Sequence, residues 1–571
     1  MKKTVAAIQV LLGLALFCGH AQAFPADDIV FKAMKDEMTR TTDKLRMDRL
    51  QKPYFGAYAV MDATRTYISG SFGGELDFSS YSYRQARVEV RIGAHSFDNM
   101  DFAGRDFWVY GPQVMRADVE DNYDALRFVL WQATDQAYKQ SLERFSQKKA
   151  YRETKNITEQ LDDLSKEKPF EFFRGCASEQ GDLVAWRSRI RELSSIFKKY
   201  PELQNSSVSL DYEARTERFL NSEGSAYRVC IPRIIFNFNA ETQARDGLRL
   251  ADSRTLYFSS WKEVRDAEKL ADEARRIAAD MTEAVMSSTM DAYVGPVVFE
   301  GQAAAEFFNQ LLARNISFPR AIWVEEEGNR DAFDSGAFSN KLGMRVASAL
   351  LSAEDNPLVE SHGGVSLIGS YQVDIEGVPA RKVELVKKGK LLDFYMGRTP
   401  VKERKFSNGH GRGGFGEYAT GRPGNLFITA EKSMPQAALR QKMLDMCREL
   451  ELDYGIVIKR MTPESSRDDK SLLSPPLLAY RVHVKDGREE PVHGVNFTGV
   501  SFRALRDVLA ASDEQHVYNY MQMGPFHANR GYAAASIVAP SVLVQEMELK
   551  KTETKPEKLP YLRHPYFEEK Y

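Results

Sequence analysis

Outside the N-terminal leader the histidines are His95, His362, His410, His483, His493, His516, His527 and His564. No two of them stand three, four or five residues apart, so no helix turn presents a pair of imidazoles to one metal ion. Helix-borne zinc sites that hydrolyse peptides depend on that spacing, with a Glu between the ligands to activate water. A site gathered from distant segments would draw on His410, His483, His493, His516 or His527; lone imidazoles of this kind are otherwise surface or core residues. There is no Gly-x-Ser-x-Gly elbow and no Walker-type phosphate loop, so α/β-hydrolase chemistry and nucleotide hydrolysis lack support. Cys176 and Cys230 could pair in an oxidising compartment. Cys447, in the helical pattern Leu439 to Leu450, reads as a small buried hydrophobe, because no His or Lys lies at same-face spacing to lower its pKa.

Two loops carry polar groups that could bind. Ser407 to Gly424 is rich in glycine and holds His410, Arg412 and Arg422. It reads either as a mobile flap over a groove, its arginines available to carboxylates, or as a solvated connection. Asp374-Ile375-Glu376-Gly377-Val378-Pro379 lacks a third acidic ligand at calcium-loop spacing and reads as a turn between strands.

The elements that must position these groups follow from periodicity. Asp27 to Arg49 repeats at helical spacing. Tyr54 to Phe72 and Arg84 to Ile92 alternate as antiparallel strands. In the second, Ala86, Val88, Val90 and Ile92 face one way and Arg87, Glu89 and Arg91 the other. Tyr123 to about Lys149 predicts a long helix packed on that sheet. Arg152 to Lys168 is a charged run, either a solvated helix extension or a linker. Next come a helix at Leu183 to Lys199, strands at Ser206–Tyr212, Thr216–Asn221 and Tyr227–Asn239, and a helix at Val264 to Val285. From Tyr293 a short strand, Gly295–Phe299, leads into a helix through Ala303 and Leu312, and the remainder is strand-rich. The fold class is therefore α+β: an N-terminal α/β domain with an antiparallel sheet and long helices, then a C-terminal β-rich domain. The expected divisions are 1–23, 24–291, 292–549 and an extended or disordered tail, 550–571, rich in Lys, Glu and Pro.

The leader is Met1-Lys2-Lys3, an apolar run from Val5 to Phe17, and Ala21-Gln22-Ala23. It reads as a secretory signal cleaved after Ala23, its apolar run being well short of the ~20 residues that span a bilayer. The expected location is periplasmic or extracellular, with no membrane anchor after cleavage. In 571 residues, 43% hydrophobic and 28% charged, the formal net charge is only −2. That is no footprint for nucleic acid, which is not an expected partner.

Several segments, in order along the chain, resemble the TldD/PmbA (TldD/TldE) metallopeptidase-related family, in particular its exported members. They include Lys52-Pro53-Tyr54-Phe55, Val90-Arg91-Ile92-Gly93, Trp131-Gln132-Ala133-Thr134-Asp135-Gln136-Ala137-Tyr138, and Phe219-Leu220-Asn221-Ser222-Glu223-Gly224. Further on are Gly295-Pro296-Val297-Val298-Phe299-Glu300-Gly301-Gln302-Ala303-Ala304-Ala305-Glu306, Ser407-Asn408-Gly409-His410, Arg422-Pro423-Gly424-Asn425-Leu426 and Ser536-Ile537-Val538-Ala539-Pro540-Ser541. The resemblance implies two domains flanking a large cleft. In its peptidase branch it implies zinc on a His-Glu-x-x-x-His helix plus a later cysteine, acting on partly unfolded peptides. Here Glu300 is kept, but Phe299 and Ala304 stand at the two histidine positions, and Met521 to Arg530 contains no cysteine. One carboxylate cannot hold zinc, so no cofactor and no catalytic residue is expected, and the chain resembles the metal-free PmbA/TldE branch. Its expected partners are a peptide or partly unfolded polypeptide, a TldD-like paralogue, or a second copy of itself. The rival expectations are an active metallopeptidase with a relocated, zinc-loaded site, and a non-catalytic structural protein of the envelope.

Overall fold

Helix α1 (Ile29–Lys44) starts at Asp28, whose carboxylate accepts the Phe31 N–H at 3.1 Å. It is the first element of a computed structural model that describes residues 27–568 apart from 48–49, 105–109, 159–160, 176–180, 266, 334, 465–470, 525–530, 555–556, 558–559 and 561–564. The expected leader, Cys176, His527 and His564 lie outside the described residues.

Strands β1 (Pro53–Ser71) and β2 (Gly74–Ala94) form one long hairpin. Phe72 (φ 49°) and Gly73 (φ 82°) take the left-handed conformations that a tight hairpin turn requires, which explains the glycine there. The alternation in β2 is observed: Ala86, Val88, Val90 and Ile92 are buried beneath α1 and α2 (Tyr123–Thr154). Beyond β1 the sheet continues antiparallel through β3 (Asn205–Asn221), β4 (Ala226–Gln243) and β5 (Arg249–Phe258). The two strands expected at 206–212 and 216–221 are thus a single β3, no breaker residue separating them. Helices α3 (Leu183–Ser195) and α4 (Ala267–Met286) cover the far end of the same face with Trp186, Ile190 and Ile277 packed on Phe236 and Phe238.

The opposite face is not in water. Arg87, Glu89 and Arg91 are only 5, 8 and 5% exposed. Segments of the second half of the chain lie over them, and Arg87 reaches the Ile375 carbonyl. The charged run after α2 is also drawn in: Asp163, Leu164 and Ser165 are buried, and Lys148 on α2 pairs with Asp163 at 2.7 Å. That stretch is a linker threaded between the halves rather than a solvated helix extension, because buried partners await its charges.

After α4 the chain enters an 11-stranded mixed sheet at β6 (Ala292–Phe299), which leads into α5 (Gly301–Phe308). The next five residues, Asn309–Ala313, widen into a π-helical turn. Further members are β7 (Leu351–Asp355) and β8 (Asn425–Ala430), then helix α6 (Gln436–Glu449) and strands β9 (Tyr454–Met461), β10 (Val508–Met523) and β11 (Tyr532–Lys551). At the centre the order is β7-β8-β11-β6-β9, with β6 parallel to β9 and antiparallel to β11. An apolar run such as Ala533–Val544 on β11 has no alternation because both faces are covered, one by α5 and the other by α6. Cys447 on α6 is buried and free, whereas Cys230 is disulfide-bonded. At the chain end, expected extended or disordered over 550–571, β11 runs to Lys551. The described residues then include a short helix, α7 (Pro565–Glu568), where buried Phe567 packs edge-on against Phe72. Apolar burial decides against an extended tail at that point. No helix among the described residues is long and apolar enough to cross a membrane.

Candidate functional site

The degenerate metal positions do not converge. Phe299 ends β6 in register with Ile458 of β9, and its ring lies against Phe307 at 4.9 Å and Phe497 at 5.9 Å between centroids. Ala304, one turn into α5, is fully buried in the same apolar core. Only Ala304 of the pair is therefore on the helix, and neither position offers a donor atom. Glu300 occupies the N-cap position in extended conformation (φ −123°, ψ 152°) without bonding the helix N–H groups. Strand alternation turns it away from Phe299, toward α6. There Arg440 donates from Nε to Oε1 at 2.6 Å and from Nη2 to Oε2 at 2.7 Å, and Gln436 donates to Oε1 at 2.5 Å. These bonds hold the Arg440 guanidinium above arginine's usual range. Arg440 also reaches Glu489 at 2.5 Å, which is held by Lys459 at 2.8 Å. Zinc needs several donors meeting at one point; two carbon side chains and one carboxylate already chelated by a guanidinium do not fit it.

The described histidines do not rebuild such a centre. His410 is buried with both ring nitrogens engaged, Nε2 to Asp355 at 3.2 Å and Nδ1 to the Asn408 side chain at 3.0 Å. His483 pairs with Glu490 at 3.1 Å. His493 bridges Ser287 at 2.7 Å and Asp246 at 3.2 Å. His516 lies in a shallow groove with His362 and Asp513. Among the described residues no three His, Cys, Asp or Glu side chains gather where they could hold a metal ion.

The glycine-rich segment is neither flap nor solvated loop. Its strands Gly411–Arg412 and Thr420–Gly421 pair as a small hairpin set against the end of the second sheet. Asp355 on β7 anchors it, accepting the Gly424 and Asn425 N–H groups at 3.0 Å each beside the His410 contact. The glycines allow close approach: a Cβ on Gly421 would sit 1.9 Å from the Tyr395 carbonyl. Arg422 is buried and paired with Glu417 at 2.8 Å, burial lowering its pKa. Arg412 donates to the carbonyls of Pro423 and Ala534 and lies over the Tyr371 ring at 4.5 Å. Of the three residues singled out in this loop, only Arg412 borders open space.

That space is a cleft of about 170 Å³ between the polar face of β3 and β4 and the loops of the second half. Arg215, Glu217 and Arg233 form one wall; Tyr371, Asp374 and Arg412 form the other. Sequence reasoning missed Arg215 and Arg233. Their alternation with apolar neighbours marks one sheet face, but nothing in the pattern says that this face is roofed. Beside the cleft Arg398 ties the two halves together, its guanidinium meeting Glu223 at 2.7 Å and donating to the Ser165 carbonyl at 3.2 Å; within each half Arg91 meets Glu89 at 2.7 Å and the Arg398 N–H bonds Glu376 at 2.7 Å. Asp163 sits between Lys148 and Arg320, each at 2.7 Å, yet burial outweighs both cations and raises its carboxyl to about 6.

Two roofed sheets with this cleft between them define an α+β architecture shared with solved proteins. TldE from Thermococcus kodakarensis is similar at 14% identity over 90% of this chain and 99% of its own, with a TM-score of 0.56. Candidate modulators of DNA gyrase are similar too. The one from Bacteroides thetaiotaomicron has 10% identity, 92% and 98% coverage and a TM-score of 0.57. That from Thermotoga maritima has 14% identity, 87% and 96% coverage and a TM-score of 0.55. At these identities the likeness is one of fold. No curated protein sequence matches. Residues 292–551, a little under half of the chain, match the PmbA/TldA metallopeptidase C-terminal domain, and that part of the chain belongs to the TldD/PmbA family.

Proposed function

We propose that this is an exported TldD/PmbA-family protein without a zinc site of its own, which binds peptide or partly unfolded polypeptide in its cleft and partners an active TldD-like subunit in proteolysis. The observation that carries the reading is the fate of Glu300, whose two oxygens are occupied by Arg440 and Gln436 while Phe299 and Ala304 lie in apolar core. A carboxylate so held neither ligates a metal nor deprotonates water. Location in the periplasm or outside the cell follows from the Met1–Ala23 pattern. Partnership with a paralogue is favoured over a second copy of the same chain, because a cleft that binds chain without cutting it needs a catalytic neighbour. Metal analysis of the purified mature protein, with peptide cleavage measured with and without chelator, tests this. The expected result is zinc far below one equivalent and no cleavage by the isolated chain; stoichiometric zinc with chelator-sensitive cleavage overturns it.

A further inference from the structure

Arg215 on β3 and Arg233 on β4 stand on one sheet face and are diagonal neighbours, the register pairing Arg215 with Ile231 and Glu213 with Arg233. Neither is fully matched. The carboxylate that Arg233 approaches, Glu213, is 3.8 Å away, beyond hydrogen-bonding distance, and already accepts the Tyr83 hydroxyl at 3.1 Å. Arg215 reaches Glu217 at 3.3 Å, but its Nε is buried with no hydrogen-bond partner. Burial and the adjacent Arg215 together hold Arg233 below arginine's usual range.

Across the cleft Arg412 faces the same space, and Arg174 stands exposed at the margin. The acids that also line it are largely committed. Glu217 accepts the Tyr227 hydroxyl at 2.7 Å besides Arg215. Asp374 accepts the N–H groups of Glu376, Val378 and Gly411, and burial, then Glu376, pushes its carboxyl well above the usual range. Glu360 is exposed at the edge. The remaining lining is aromatic and aliphatic, including Phe172, Ile231, Ile368 and Val373. A cationic wall beside apolar surface suits an anionic group attached to an apolar body, and a planar carboxylate matches the guanidinium fork.

We propose that this cleft recognises the C-terminal carboxylate of a peptide ending in an apolar residue, the carboxylate seated on Arg215 and Arg233 and the last side chain on Phe172 and Ile368. The assignment rests on the peptide-binding reading above and adds to it which end of the peptide is read.

Calorimetry with N-acetyl-Ala-Ala-Phe as free acid, and with the same peptide as its C-terminal amide, tests this on the full mature protein. The free acid is expected to bind at least about tenfold more tightly than the amide, the loss typical of removing a charged hydrogen-bond partner. Arg233→Met and Arg215→Met should each erase that preference, and Arg233→Lys should restore part of it. Equal binding of acid and amide to the wild type overturns carboxylate recognition while leaving peptide binding intact, and needs no variant to fold. Binding of neither peptide overturns both readings. Inorganic phosphate displacing the acid at equal affinity would reduce the site to a simple anion pocket and overturn the proposal.

Discussion

Arg440 holds Glu300 through both carboxylate oxygens, Nε 2.6 Å from Oε1 and Nη2 2.7 Å from Oε2. Where the sequence resemblance implies a Glu serving a metal-bound water, Glu300 serves α6 instead. The pair joins the first turn of α5 to α6, on opposite faces of the second sheet, and draws in Glu489 and Lys459.

Arg440→Met should therefore cost stability rather than alter any metal affinity. It leaves Glu300 with Gln436 alone and Glu489 with Lys459 alone at a half-buried site, a loss of about 1–3 kcal/mol. Urea unfolding followed by circular dichroism reads it, with zinc content unchanged; an unaltered midpoint would show the contact to be ornamental.

Glu306 on α5 gives a pH signature. It is fully buried, takes hydrogen bonds from Gln310 at 2.9 Å and Tyr518 at 2.8 Å, and burial raises its carboxyl to about 7 from an ordinary 4.5. Between those values the folded chain binds more protons than the unfolded one, so this group's contribution to stability falls as pH rises through the window. The loss amounts to at most about 3 kcal/mol. Glu306→Gln should flatten stability against pH between 5 and 8, measured by denaturant midpoints at each pH; an unchanged slope would refute it.

Lys148 and Asp163 are both almost fully buried where the linker passes between the halves. Lys148→Met strands the acid beside Arg320 alone and should cost about 3 kcal/mol or more. The double change Lys148→Met with Asp163→Asn should recover part of that, and a double-mutant cycle in guanidinium measures the coupling.

Gly421 tests whether the glycine-rich segment is packed or solvated. Its Cβ position lies 1.9 Å from the Tyr395 carbonyl, so Gly421→Ala must push the hairpin away. A loss of about 1–3 kcal/mol by thermal melting is expected. A neutral substitution would return the segment to the surface.

Much of the layout was legible in the amino-acid order. The hairpin at 53–94, the long helix from Tyr123 and the strand leading into α5 all follow from local periodicity and turn chemistry, which a chain expresses within a few neighbours. So does the loss of the histidine pair, a matter of residue identity at fixed spacing. Where alternation met a polar face, however, the pattern stopped short. Arg87, Arg91, Arg215 and Arg233 look solvent-bound in β-strand context, yet loops from the second half of the chain cover or face them. The same holds for His410 and Arg422, whose glycine-rich surroundings suggest mobility but which close packing buries. Which charges are paired, and which pair is left incomplete in the cleft, depends on contacts between segments remote along the chain, and only the tertiary structure decided it.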